Sequence, residues 1–553
     1  MNVHLKNTVA TVATCLALAA TPALAKSKKK EPAAQPAAAD TTPVATPAQP
    51  AAAVAPSVET SAPPSKTLER ALKLYDRDDY YMASILFDQV IDKKSGDDES
   101  NMQKAEFFMG KTLFNLRFYS ASLSYFSRIV DKGASHRYYQ RTLQWLASLS
   151  KFLPESAGVL EKIGKYNRQD LEQPALEPVR NELYYLLGRY HYTKGNFPQA
   201  LELFALVPEN NEFYARAKFL EGITHVREFK GNEAAESFRA ILRKAKEKPD
   251  AATKEFEELA NLSLARVFYS TRQFPLSIKY FDKIPTESPD WLNSLFESSW
   301  ALFQVDGYSK ALGNIHTLNA PFFENEFFPE SLILKAVIYF QTCNYDRSLA
   351  TLKDFNDVYP KLREEISALL AKYPDNAEFY SYVLKIRSGE AGLSERLQRA
   401  VEGALQDRTL TKTLDYVSEL DRELRQVDKA DVSWKNTQIA GTVLQDLTLQ
   451  KSIAANEAGN LARKRLERLA GEIQELYKQA IKVEFETLNG KKGVLEANIR
   501  GEQAAANANR NKRYAGPPMN DDEHLRWDFN GEYWKDELGS YWFNVRNLCE
   551  AAK

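Results

Sequence analysis

The stretch LLGRYHYTKGNFPQALELFALVP, Leu186 to Pro208, decides the fold. It holds a small residue (Gly188), a polar turn, then Ala200 and Phe204 four positions apart, with Val207 and Pro208 closing it. Nothing in it is a nucleophile or an acid–base pair. Its information lies in the intervals, and the intervals recur. Taking Gly188, Ala200, Phe204 and Val207 as the reference, the same offsets fit Gly222, Ala234, Phe238 and Ile241, and also Ala265, Ser277, Phe281 and Ile284. They fit Gly110, Ser122, Phe126 and Ile129, and Ala71, Ala83, Phe87 and Val90. Weaker copies start at Ser299 (Ala311, Ile315, Leu318) and Ala336 (Ser348, Leu352, Phe355), and a degenerate unit falls between Arg141 and Tyr166.

Close packing of two antiparallel helices explains the spacing. A small residue on each helix lets the pair approach, and the large apolar residues four and seven positions later fill the gap to the next pair. Gly188 to Gly222 and Ala265 to Ser299 are each 34 residues apart. A period near 34 with this small–small–large pattern resembles the tetratricopeptide repeat, over roughly residues 66 to 360. The resemblance implies an all-α, right-handed helical solenoid of about eight units over 67–380, which binds protein partners and carries no catalytic group.

The flanks read differently. Lys6, an apolar run from Thr8 to Ala20, Pro22 and Ala23-Leu24-Ala25 form an export signal over 1–25, cleaved after Ala25. Cys15 has a poor lipidation context in Val12-Ala13-Thr14, and lipid anchoring there is not expected. Residues 26–66, starting KSKKKEPAAQPAAAD, lack the apolar area to order and read as a disordered linker. No later segment reaches eighteen apolar residues, so no transmembrane helix is expected in the mature chain. The net charge of −1 offers no field for nucleic acid. Cys343 and Cys549 read as one buried small residue and one tail residue, and their separation leaves pairing open.

Beyond Asp375 the pattern lengthens. Leu410, Leu414, Val417, Leu420, Leu424 and Val427 share one helical stripe. After a polar break, DKADVSW, Ala462, Leu466, Leu469, Ile473, Leu476, Ala480 and Val483 alternate at four and three, a coiled-coil-type seam. Residues 381–500 therefore read as a long-helix hairpin or bundle lying against the last repeats, or as a protruding or dimerising coiled coil. A polar linker over 501–520 and an aromatic tail over 521–553 follow, the tail holding Trp527, Trp534 and Trp542.

No phosphate loop, cysteine pair or metal-binding helix motif is present, so no enzyme, cofactor or metal is expected. His191 and His225 occupy equivalent repeat positions, where side chains ordinarily pack inside the unit. In tetratricopeptide proteins generally, the positions one, four and five after the small reference residue face the groove. That resemblance assigns Lys111, Arg189, Arg266 and Trp300 to the first slot, Phe114, Tyr192, Tyr269 and Phe303 to the next, and Arg227 to the last. Arginine forks beside aromatic faces suit an extended or helical segment of a partner. The competing reading pairs these cations with carboxylates of adjacent repeats. The tail reads as a closing cap on the long helices, as a docking motif, or as a sugar-stacking surface for peptidoglycan.

Export, a tether and a solenoid together are similar to periplasmic scaffolds of the bacterial cell envelope. The WDFNGEYWKDELGSYW block, Trp527 to Trp542, resembles tails of tetratricopeptide proteins in gliding-motility envelope complexes. What this implies is a non-enzymatic scaffold that binds envelope proteins through its groove. The alternative is a cell-wall-binding protein, or a regulator of cell-wall enzymes, that uses the tail.

Overall fold

A computed structural model describes residues 62–247, 251–323, 326–499, 527 and 529–549. The expected signal peptide, Cys15, most of the 26–66 linker and the 501–520 linker lie outside the described residues. Every regular element among the described residues is helical.

Seven antiparallel pairs carry the seven sequence copies. They are Lys66–Tyr75 with Tyr80–Ile91, Glu99–Asn115 with Tyr119–Lys132, and Arg180–Lys194 with Phe197–Ala205. Next come Tyr214–Arg227 with Gly231–Glu247, Ala251–Ser270 with Phe274–Phe281, Trp291–Gln304 with Tyr308–Leu318, and Pro329–Gln341 with Tyr345–Lys372. The degenerate unit is Tyr139–Leu149 with a one-turn partner, Val159–Ile163. The result is an all-α solenoid of tetratricopeptide type.

The reference positions behave as close packing requires. A Cβ placed on Gly110, Gly188 or Gly222 would lie 2.7, 2.7 or 2.6 Å from the ring of Phe126, Phe204 or Phe238, sixteen residues on. The second small position is fully buried at Ala83, Ala200, Ala234 and Ala311. Where it is serine, the hydroxyl donates to the carbonyl of the reference residue twelve back. Ser122 reaches Gly110, Ser277 reaches Ala265 and Ser348 reaches Ala336, at 2.8, 2.8 and 2.9 Å. A buried hydroxyl is thus satisfied without widening the crossing.

Each pair also turns through one left-handed residue, seven positions after the reference: Asp78, Arg117, Gly195, Phe229, Arg272, Asp306 and Cys343, with φ between 56° and 79°. Only one of the seven is glycine, although the left-handed region costs other residues roughly 1–2 kcal/mol.

The C-terminal half packs on the last repeats, as one of the two readings expects, but it also extends back to the first repeats. After Asn376–Arg387, Glu395–Leu405 and Arg408–Lys429, a single 62-residue helix, Gln438–Ile499, runs about 90 Å at ~1.5 Å per residue. It joins three cores in succession. Ile439, Val443, Leu447 and Ala454 pack with the first repeats; Ala458 to Ile473 pack with Leu362–Leu414; Leu476, Ala480 and Val483 pack with the last repeats. The 462–483 seam is therefore spent inside the chain, which leaves it no face for dimerisation.

At the N-terminal end the anchor is Trp434, fully buried in the segment that reads as a polar break. Its ring stacks on Phe118 at 5.9 Å, meets Tyr81 edge-on at 5.3 Å, and its Nε1 donates to Ser84 Oγ at 3.0 Å. At the other end Thr487 contacts Ser348 at 3.2 Å and Lys491 pairs with Asp346 at 2.6 Å.

Two substitutions test the repeat geometry in opposite directions. Gly222→Ala drives a methyl into Phe238, and a loss of about 1–3 kcal/mol in urea unfolding is expected. Phe229 is 94% exposed at φ 61°, so Phe229→Gly removes backbone strain without opening a cavity. A gain of roughly 1 kcal/mol is expected in the same experiment.

Candidate partner-binding surfaces

The groove positions are largely occupied by the chain itself. Arg189 donates to Glu155 at 2.5 Å, and Lys412 from the C-terminal helices reaches the same carboxylate at 2.5 Å. Burial opposes the Glu155 charge, yet Arg189, Lys412 and Arg408 hold its pKa below the usual range. Arg266 grips Glu297 of the next repeat through two bonds of 2.8 and 2.6 Å. The ammonium of Lys111 lies 4.6, 4.4 and 5.5 Å from the ring centres of Tyr75, Phe108 and Trp145, and burial lowers its pKa. Arg227 stacks over Tyr192 at 4.8 Å. Arg189 and Arg266 thus pair with carboxylates, the competing reading of the sequence, whereas Lys111 and Arg227 lie over aromatic rings instead.

Two groove residues are corrections. Trp300 and Phe303 are 2% and 1% exposed and pack edge-to-face inside the core of the last repeats. That core also takes in Leu476, Ala480 and Val483 of the long helix, so the expected outward slots turn inward. Tyr192 is likewise buried, Phe114 is half-buried among Tyr119, Trp145 and Phe152, and Tyr269 lies against Phe274.

The aromatic tail docks on the solenoid rather than on the long helices. Phe543 N–H donates to the Ser309 carbonyl and Leu548 N–H to the Thr342 carbonyl, both at 2.9 Å. Asn344 returns a bond to the Arg546 carbonyl at 2.8 Å, and Gly539 N–H reaches Thr317 Oγ1 at 3.1 Å. A side chain at Gly313 would collide with the Tyr541 carbonyl, so the tail crosses that helix at its smallest residue. His316 sits among Phe529, Tyr533 and Tyr541 at 4.7, 5.0 and 5.2 Å. A disulfide between Cys343 and Cys549 closes the junction, a correction to their separate roles. The sequence holds no signal for it, because the partners become neighbours only when the tail returns across 206 residues.

The three tail tryptophans differ in burial. Trp542 is half-buried, with Lys310 over its ring at 5.9 Å, and anchors the tail. Trp527 and Trp534 are 75% and 58% exposed. Phe529 and, on the solenoid, Phe322 add exposed ring surface nearby, with Lys535 over Phe322 at 5.9 Å. Phe529 is seated against His316, Tyr533 and Tyr541, while the rings of Trp527 and Trp534 face solvent.

Other chemistry is sparse. Between the long helix and helix Glu395–Leu405 lies a cavity of about 590 Å³ lined by both charges, among them Arg465, which pairs with Asp407, and Glu472. Among the described residues, no cluster of three or more His, Cys, Asp or Glu could hold a metal ion, and no helix is long and apolar enough to cross a membrane.

Sequence reasoning also missed Glu423. Helix Tyr119–Lys132 has no side-chain cap of its own, and Glu423 supplies one from three hundred residues away, accepting from Ser120 N–H at 2.8 Å. Beside it Arg422 and Gln426 donate to the carbonyls of Arg117 and Leu116. Glu423 shares the helix Arg408–Lys429 with an ordinary amphipathic stripe, and only the docked turn explains its burial.

No protein-family model matches the chain, and no curated protein matches it. Among solved structures it is similar to the apo form of RapI, at 12% identity and TM-score 0.33, covering 61% of this chain and 96% of that one. It is also similar to the APC/C hetero-tetramer Cut9-Hcn1, at 12% identity and TM-score 0.20, covering 78% and 94%. A circular tandem repeat protein with novel repeat topology matches at 15% identity and TM-score 0.12, covering 79% and 90%. Likeness at this level carries no argument, and the repeat assignment rests on the packing described above.

Burial raises the Glu423 pKa to about 8, with the Ser120 bonds pulling the other way. An unfolded glutamate titrates near ~4.3, so folding holds a proton between there and about pH 8, and this group's contribution falls as pH rises through that window. Glu423→Gln keeps the acceptor and removes the titration. The variant should gain on wild type by a few kcal/mol from pH 5 to pH 9. Parallel melting curves across that range would refute it.

Proposed function

We propose that this protein is a non-enzymatic scaffold of the bacterial periplasm that holds partner proteins of a cell-envelope machine. Gliding motility is the system its tail resembles. The observation that carries the reading is the exposure of Trp527, Phe529 and Trp534 on a tail whose following residues, from Gly539 to Cys549, are fixed to the solenoid by backbone bonds and a disulfide. Aromatic anchors on a rigid base are what protein interfaces concentrate their energy in. Export is supported by the Ala23-Leu24-Ala25 site and by the Cys343–Cys549 bridge, since disulfides persist in oxidising compartments. The paired groove cations leave Arg189 and Arg266 a structural role first. The same exposed indoles also suit sugar stacking, which keeps cell-wall binding as the second reading.

Capture experiments with the full chain separate these readings. Trp527→Ala/Trp534→Ala should lose protein partners from envelope extract while its melting temperature holds. Arg189→Ala/Arg266→Ala should lower the melting temperature instead. Tryptophan-dependent sedimentation with purified sacculi, without protein capture, would transfer the function to the cell wall. Mass spectrometry of the chain taken from cells should find Lys26 at the N-terminus and an oxidised Cys343–Cys549 pair. A lipidated Cys15 would overturn cleavage after Ala25, and an uncleaved chain with two free thiols would overturn the export assignment.

A further inference from the structure

The long helix carries two seams on opposite faces near its end. The inner one, through Leu476, Ala480, Val483 and Thr487, is buried on the solenoid. The outer one runs Ile481, Phe485, Leu488, Lys492, Leu495, Ile499, again at alternating four and three. Its five apolar members are between 47% and 85% exposed. In heptad terms Ile481, Leu488 and Leu495 take the d positions, and Phe485, Lys492 and Ile499 the a positions. The burial of Val483 and Ala497 lies on the side away from this seam, so the helix is fixed from behind and the seam faces solvent.

We propose that this outer seam pairs with the same seam of a second copy of the chain, as an antiparallel two-helix coiled coil centred near Gly490. The orientation follows from the charges. Antiparallel pairing sets Ile481 against Ile499 of the other copy, Phe485 against Leu495, and Lys492 against Leu488. A parallel pair would instead bury Lys492 against its own equivalent, which costs more than a charge can recover in an apolar seam. Antiparallel pairing also brings the exposed Lys482 beside Glu496 of the other copy, twice by symmetry. The corresponding parallel contact would need Lys491, which Asp346 of its own chain already holds at 2.6 Å. Glu496 keeps only a loose contact to Lys492 at 3.7 Å, and can turn to a new partner. The single lysine at an a position selects register at some cost in affinity.

The size of the surface sets the strength. Fewer than three heptads give an interface on the order of 1,000 Å², at the lower edge of specific association. The dimer is therefore concentration-dependent, and the seam is independent of the aromatic tail used in the proposed function.

Sedimentation equilibrium of the full chain, from low to high micromolar, tests this. Wild type should pass from monomer to dimer. Phe485→Glu/Leu488→Glu should stay monomeric throughout with an unchanged melt, because both side chains are exposed. Lys482→Glu should weaken the dimer by about three-fold, and Lys482→Glu/Glu496→Lys should restore it, as exposed ion pairs of this strength allow. A wild type that is monomeric at every concentration would overturn the proposal. So would a dimer indifferent to Phe485 and Leu488, or a seam that binds anionic phospholipid vesicles as a monomer.

Discussion

The helix Gln438–Ile499 ties both ends of a repeat array that would otherwise be joined only pair to pair. In a solenoid each unit touches its neighbours alone, so small rotations between units accumulate and the ends are soft relative to each other. A continuous helix, held by Trp434 just before its start on the first pair and by Thr487 on the last, removes that freedom. It also merges what would be a chain of local cores, since its residues belong to three clusters in turn. The anchor at the first repeats is chemically specific. Arg422, Glu423 and Gln426 read the backbone of the turn Leu116–Ser120, taking up groups that the turn leaves open.

Closing the array in this way changes what the groove residues do. Glu155 is shared by Arg189 of the next repeat and Lys412 of the C-terminal helices, so one carboxylate couples repeat stacking to strut docking. A cation engaged so is not available to a partner without loss of fold stability. Recognition is better served by side chains whose exposure costs the fold nothing. The aromatic edge of the tail meets that condition, because the backbone bonds at Ser309 and Thr342 and the Cys343–Cys549 bridge bear the load of positioning it.

What the sequence makes legible follows from the range of each interaction. The small–small–large intervals are contacts within about sixteen residues, and Gly188, Ala200 and Phe204 display them in the bare order of the chain. The left-handed turn seven residues on is equally local, yet it is hidden, because Asp78, Arg117, Phe229, Arg272, Asp306 and Cys343 stand where glycine would announce it. Trp434 and Glu423 are hidden for a different reason. Both look like parts of a polar break or an exposed helix face until residues some three hundred positions earlier arrive to bury them. The groove slots of Trp300 and Phe303 fail likewise, since a family pattern describes a repeat among repeats and theirs shares its core with Leu476, Ala480 and Val483 of the long helix.

The seam of the long helix carries this lesson furthest. The seam read from the sequence stops at Val483, while Ile481 to Ile499 continue the same alternation of four and three in a different phase. Physically they are two faces with opposite fates. The first includes two buried alanines, Ala462 and Ala480, which let the chain's own helices approach closely. The second carries only large residues, with no small partner to receive a close neighbour. Large side chains at alternating four and three intervals suit a second helix at ordinary coiled-coil spacing, and nothing within the described chain covers them. The residue sizes on each face, more than the period they share, separate the contact that builds the monomer from the one left for an encounter outside it.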